Sequence, residues 1–247
     1  MYLLRTRLIQ RPIGSIARLS ISQARQYSTG QAQPDNSVQL PSRWFTDLRT
    51  QLKDLSTEKY PRECVDEAQK LYNSSEENWL ELLAGQQGFL TEKTWRGIDN
   101  HPLLWGDMHG HVNNIMYNKY AETGRVKFIH NHAEHATREE KSQWLDLPTP
   151  RGLGLILKSI KTEYKFPLEY PDRITVVYKL LEAPTQESTS LKKEAWILSH
   201  GHRRLAAKCI EDTAIYDYTV AKKSVLKPFM VEKLQQTFKM QQDRQKI

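Results

Sequence analysis

One carboxylate, two histidines, a glycine and two asparagines fall within the stretch WGDMHGHVNN, Trp105–Asn114, directly ahead of residues that read as a helix. Attack on an acyl carbonyl needs a nucleophile, or a base that activates water. It also needs hydrogen-bond donors where the carbonyl oxygen becomes negative. A carboxylate serves as either base or nucleophile, and Asp107 supplies one. A helix start supplies unpaired backbone N–H groups and the positive end of the helix dipole, here from Gly110, His111, Val112, Asn113 and Asn114 towards Ile115. Gly110 permits a tight turn and close approach of a ligand. The same residues also admit a purely structural reading. Asn113 or Asn114 is a natural N-cap, Asp107 would then stabilise the dipole or pair with a surface cation, and His111 would be a hydrogen-bonding residue of the turn rather than a general base.

Other polar groups fit chemistry less well. His130, His132 and His135 do not share a helical face and do not form H-E-x-x-H, so they read as a cationic helix end and no metal site is expected. His200 and His202 flank Gly201 in a turn. Arg203 and Arg204 beside it have the planar cations that suit phosphates, or they form a solvated strand edge. Glu122 and Arg125, three apart on the helix, are expected to pair with each other. No G-x-S-x-G elbow, G-x-G-x-x-G or Walker loop occurs, so neither serine-hydrolase chemistry nor a nucleotide-phosphate cradle is expected. Cys64 and Cys209 make neither a disulfide framework nor a metal motif.

The elements that must hold the stretch follow from periodicity. Tyr117, Tyr120, Ala121, Gly124 and Phe128 recur on one helical face, and the small pair Ala121 and Gly124 suits close contact with a sheet. After a loop ending LPTPRG come strands of period two. Ile156, Ile160, Tyr164 and Phe166 are expected to share a face, then Ile174, Val176, Tyr178 and Leu180, then LKKEAWILS and RRLAAKCIEDTAIYDY joined by the turn at Gly201. One long helix followed by an antiparallel meander makes an α+β domain with the helix on one sheet. Ahead of it, Trp44, Leu48, Leu52 and Leu55 outline a helix broken by Pro61. Helices over RECVDEAQKLY and SEENWLELLA follow, giving a helical extension over 41–88. KPFMVEKLQQTFKMQQ reads as a C-terminal helix, and 232–247 are set apart as that terminal segment.

The net charge is +7 over 247 residues. Five of those charges are Arg5, Arg7, Arg11, Arg18 and Arg25, in a segment with no lysine and no acid before Asp35. That composition matches an organelle transit peptide, with RQYSTG resembling a mitochondrial processing site cut after Tyr27. Residues 1–27 are read as the presequence and 28–40 as a polar linker. The remainder carries only +2, which removes most of the electrostatic case for nucleic acid. No apolar run approaches the roughly 18 residues of a membrane span.

The order D-x-x-G-H-V-N-N at Asp107, Gly110, His111, Val112, Asn113 and Asn114, then YAETGR in the helix and LKPF near the end, resembles the hotdog-fold acyl-CoA thioesterases of the 4-hydroxybenzoyl-CoA thioesterase type. The resemblance covers about residues 89–231, and the chain is also similar to fungal mitochondrial proteins with a thioesterase-like domain. It implies a curved antiparallel sheet wrapped around the long helix, and subunits paired edge to edge as a homodimer or higher homo-oligomer with active sites between them. It further implies an acyl-CoA substrate, Asp107 as base or nucleophile, backbone donors near His111 and Val112 for the oxyanion, and no cofactor. Trp105 stands where many members carry a further acid, and His109 replaces a usual apolar residue. A non-catalytic hotdog protein that assembles with a mitochondrial complex is the alternative, favoured by the helical extension.

Overall fold

The computed structural model describes residues 43–103, 110–134 and 136–245. Residues 1–27 and 28–40, expected from the sequence to be presequence and linker, and Trp105, Asp107, His109 and His135 lie outside the described residues. These divide into two compact units, 43–77 and 78–245.

The first unit is a pair of helices, α1 (Trp44–Leu55) and α2 (Arg62–Glu77). α1 buries Phe45 and Leu52, seven residues apart and so on one face. The expected stripe was different: Leu55 is exposed. Arg49 joins the two helices by lying over the rings of Phe45 and Tyr72 and pairing with Glu76. α2 runs on to Glu77, through Ser75 and Glu76, where the sequence pattern predicts the start of a third helix.

The second unit begins with α3 (Trp79–Leu83), so residues 78–88 of the extension lie here. A 3-10 turn at Gly85–Gln87 ends on Gly88, whose φ of 84° is left-handed, the conformation glycine takes without a Cβ clash. Then come β1 (Ile98–Pro102), α4 (Asn114–Asn131) and α5 (Arg138–Asp146). The strands β2 (Leu153–Tyr164), β3 (Arg173–Leu180), β4 (Ser190–Ser199), β5 (Arg204–Asp217) and β6 (Lys222–Lys223) follow, and α6 (Pro228–Gln245) ends the unit. α6 opens on Pro228, where a missing N–H costs nothing. It starts four residues ahead of the terminal segment read from the sequence.

The sheet is antiparallel in the order β1-β3-β4-β5-β2, with β6 added to β5. This is the α+β hotdog fold that the resemblance implies. α4 lies on the inner face, with Tyr117, Tyr120, Ala121, Gly124 and Phe128 all buried. Gly124 shows why a small residue stands there. A Cβ on it would sit 2.8 Å from Val176 Cγ1 and 3.0 Å from Tyr178 Cε2. From the other side, a Cβ on Gly97 would sit 2.6 Å from the Gly124 Cα. Segment 78–92 covers part of the outer face: Phe89 packs on Trp196 at 4.9 Å, and Lys179 Nζ donates to the Gln87 carbonyl at 2.6 Å. β3 is therefore buried on both faces, Thr175 and Val177 as well as Val176 and Tyr178.

β2 departs from its expected alternation. The register shifts between Leu157 and Ser159, so Leu157 opposes Thr213 while Ile160 opposes Glu211. Residues opposite each other in an antiparallel pair share a face. Leu155, Leu157, Ile160, Thr162 and Tyr164 therefore face α4, and Ile156 faces away. The extra residue of the bulge re-phases the strand, which corrects the single face drawn through Ile156 and Ile160.

Candidate functional site

The start of α4 is built from the residues that the motif supplies. Gly110 has φ 81°, and a Cβ there would meet nothing within 4 Å. Its glycine therefore answers a backbone conformation, not crowding. His111 bridges to Glu169 in a short antiparallel contact, and its Nε2 lies 3.1 Å from Glu169 Oε1. Val112 is buried, and its N–H donates to the Leu168 carbonyl at 2.8 Å. Asn113 is the N-cap: its side-chain oxygen accepts from the Ile115 N–H at 3.0 Å, and its carbonyl from the Met116 N–H.

These bonds narrow the set of oxyanion donors. The N–H groups of Val112 and Ile115 are spent on Leu168 and Asn113. Those of Asn113 and Asn114 have no partner among the described residues, at the positive end of an 18-residue helix. Asp107 lies outside the described residues, immediately upstream in sequence. The surroundings are open: Ile115, Met116, Tyr164 and Tyr170 all present exposed apolar surface, Ile115 at 69%.

One segment, Tyr164–Glu169, ties this helix start to the predicted phosphate-binding arginines. The Tyr164 ring packs on Tyr117 at 5.1 Å, and the Leu168 N–H donates to the Tyr117 hydroxyl at 2.9 Å. Burial pushes the Tyr117 phenol above its ordinary range, so it stays neutral. Between these contacts, Phe166 packs on His202 at 4.5 Å and lies under the Arg204 guanidinium at 4.7 Å. Arg203 sits in the turn with φ 45°. Leu168 is two residues from Phe166, about 7 Å of extended chain. Gly110–Asn114 and Arg204 are thus brought to one region.

Asn118, Thr162 and Glu169 had no place in the motif. Thr162 donates to Asn118 Oδ1 at 2.9 Å, one helical turn past the cap. Asn118 is a polar residue four after Asn114, and that spacing alone marks it as lying above the site. Glu169 meets His111 across 58 residues of chain, and no local pattern announces such a pairing.

Rival chemistries meet specific obstacles. Cys209 is enclosed and burial raises its thiol, so it remains protonated and is a poor nucleophile. Ser199, His200 and Asp172 do meet, but Ser199 Oγ donates to Asp172 Oδ2 at 2.5 Å while His200 Nε2 faces Thr175 Oγ1 at 2.7 Å. With Gly201 N–H also on Asp172, the three residues brace a turn. His132 uses both ring nitrogens, Nδ1 on the Phe128 carbonyl at 2.9 Å and Nε2 with Thr237 at 3.1 Å. Glu122 pairs with Lys119 at 2.9 Å and Arg125 with Glu211 at 2.7 Å, which corrects the expected Glu122–Arg125 pair. Among the described residues, no helix is long and apolar enough to cross a membrane.

Comparison with known proteins gives a family match. The thioesterase-like superfamily model matches residues 102–234, more than half of the chain. No curated protein sequence matches significantly. Among solved structures, the DHNA-CoA thioesterase from Staphylococcus aureus is 14% identical, with 59% of this chain and 91% of that one covered at a TM-score of 0.46. The probable thioesterase YbaW from Escherichia coli is 19% identical over 57% and 97%, with a TM-score of 0.44. A thioesterase from Thermus thermophilus, solved with coenzyme A and zinc, is 18% identical over 54% and 85%, with a TM-score of 0.41. The matched span holds α4, its N-cap and strands β2 to β6, and the chain belongs to the thioesterase-like superfamily.

Proposed function

We propose that this chain hydrolyses an acyl-CoA to the free acid and coenzyme A, with Asp107 as base or nucleophile. The observation that carries the reading is the start of α4, where the N–H groups of Asn113 and Asn114 have no partner among the described residues, within the span matched by the family. As a base, Asp107 takes a proton from water while the water oxygen attacks the thioester carbon. The carbonyl oxygen becomes negative against those N–H groups, and collapse expels the thiolate, which takes up the proton. As a nucleophile, Asp107 attacks the same carbon and expels the thiolate, leaving a mixed anhydride that water then opens to the free acid and the regenerated carboxylate. Arg203 and Arg204 receive the phosphates of coenzyme A, with Phe166 beneath Arg204 as an aromatic surface.

The working form is a homodimer or higher homo-oligomer. β2 is an edge strand of 12 residues with exposed Ile156 on its outer face, the kind of edge that pairs with another strand. The location is the mitochondrial matrix, after removal of residues 1–27. A second reading has its own observation. Residues 43–77 form a separate helical unit, which suits a hotdog protein that assembles with a mitochondrial complex.

The test is release of free thiol from short, long and aromatic acyl-CoAs by protein starting at Ser28, beside Asp107→Ala and Asp107→Asn. Turnover by the parent and at least a hundredfold loss in both folded variants is the expected result. A well-folded parent that turns over none of the panel would overturn hydrolysis in favour of assembly.

A further inference from the structure

The seam between α4 and β2 is tied at one end and open at the other. Near the helix start, the Thr162–Asn118 hydrogen bond links strand to helix. Beyond the bulge in β2, the seam widens into a groove of about 310 Å³, at the lower end of small-molecule sites. Arg125, Val126 and Ile129 line it from the helix, Leu155 and Leu157 from the strand, and Tyr218 from beyond β5. Leu157 and Tyr218 are more than one-third exposed, so the groove is reachable.

Behind Arg125 lies a buried charged cluster. Its Nη1 donates to Glu211 Oε1 at 2.7 Å, and Glu211 is wholly enclosed. Lys193 opposes Glu211 across β4 and β5, is also enclosed, and donates from Nζ to Thr213 Oγ1 at 2.7 Å. Burial lowers the Lys193 ammonium to about 8, which leaves it charged at neutral pH. Asp212 turns to the opposite face and pairs with Lys158, and Glu122 on the groove rim is held by Lys119. Arg125 pairs with Glu211 and Lys193 stands opposite it on the neighbouring strand, so the cluster holds two cations and one carboxylate. An excess positive charge away from water favours an arriving anion, and a guanidinium edge fits a carboxylate.

We propose that this groove binds an aliphatic monocarboxylate, its carboxylate on the exposed edge of Arg125 and its hydrocarbon along Val126, Ile129, Leu155 and Leu157. The site is separate from the helix start, because Arg125 lies about 16 Å along α4 from Asn114. Strand pairing along the β2 edge uses backbone groups and leaves the inner face of β2 free to line the groove. Binding does not rest on thioester hydrolysis. If hydrolysis holds, the occupant has the chemistry of its acid product.

The test is calorimetric titration of the full chain at pH 7 with sodium octanoate and, in parallel, with 1-octanol. Saturable one-to-one binding of octanoate, at least tenfold tighter than octanol, is expected. Leu157→Trp fills the groove from an exposed position and should weaken octanoate at least tenfold with an unchanged circular dichroism spectrum. Val126→Trp repeats that test from the helix side if the first variant folds poorly. Lys193→Met removes the excess charge without touching the lining and should bring octanoate to within about threefold of octanol. Equal binding of octanoate and octanol, or no saturable octanoate binding, would overturn the site. Octanoate binding that survives the groove-filling variants would do the same. An octanoate preference undiminished in Lys193→Met would overturn the charge argument.

Discussion

The first turn of α4 and the rest of the same helix are built on opposite terms. At the start, His111, Asn113, Asn114 and Ile115 are exposed, and two backbone N–H groups are without partners among the described residues. From Tyr117 onward the buried face is clamped. Gly124 leaves no room for a methyl group beneath Val176 and Tyr178, and the helix ends on an enclosed His132 set among Trp95, Phe128 and Trp144. A site that must stabilise a developing charge needs donors held in place but unspent. The packed part of the helix supplies the holding, and the open turn leaves the donors free. The two halves should therefore respond differently to mutation: the clamped half through stability, the open half through activity.

Gly124→Val tests the clamped half most severely. Its Cβ would fall within 3.0 Å of Val176 and Tyr178, which belong to β3, a strand enclosed on both faces, so the clash has nowhere to relax. A loss of about 3 kcal/mol is expected, the upper end for overpacking, read as a lower urea midpoint. An unchanged midpoint would show that α4 does not lie this close to β3.

The end of the helix gives a pH signature. Burial lowers His132 from its ordinary 6.5 to about 4. Between those values the unfolded chain binds the proton and the folded chain does not, so stability falls as pH falls from 6.5 to 4 and levels off below. The expected loss is on the order of 3 kcal/mol. Measuring urea midpoints at several pH values for the parent and for His132→Phe isolates this group, since only the parent should show the His132 part of the slope. Parallel profiles would place an ordinary histidine there.

How much of this was legible follows from the range of each signal. The buried face of α4 and the chain order of its strands come from periods of 3.6 and 2, which are local. The N-cap at Asn113 is local too. Periodicity alone does not predict α5, although its capping box, Thr137 with Glu140, stands in the sequence as TREE. The bulge in β2 has no glycine to mark it, so strict alternation places Ile156 on the wrong face. Helical spacing points Arg125 to its neighbour Glu122, yet its partner Glu211 stands 86 residues away. Of the candidate site, the motif was legible because it is contiguous. Its supports at Glu169, Leu168 and Thr162 were not, because the meander returns them to the helix start from one strand and the loop after it.

The smallest expected effect separates the two halves most clearly. Asn113→Ala removes the side-chain acceptor for the Ile115 N–H, which at a helix start costs about 1 kcal/mol. That is a third of the effect expected at Gly124. Ile115 then gains an unspent N–H, and the first turn loses the bond that orients the N–H groups of Asn113 and Asn114. Turnover, measured as kcat on whichever acyl-CoA the parent hydrolyses, should fall about tenfold while the urea midpoint moves little. Asn113→Asp keeps a capping oxygen but places a negative charge beside the donors. It should hold the midpoint and still lose activity, because the added charge opposes the developing oxyanion. If Asn113→Ala instead unfolds the protein as far as Gly124→Val does, the first turn is part of the clamp and the contrast within α4 fails.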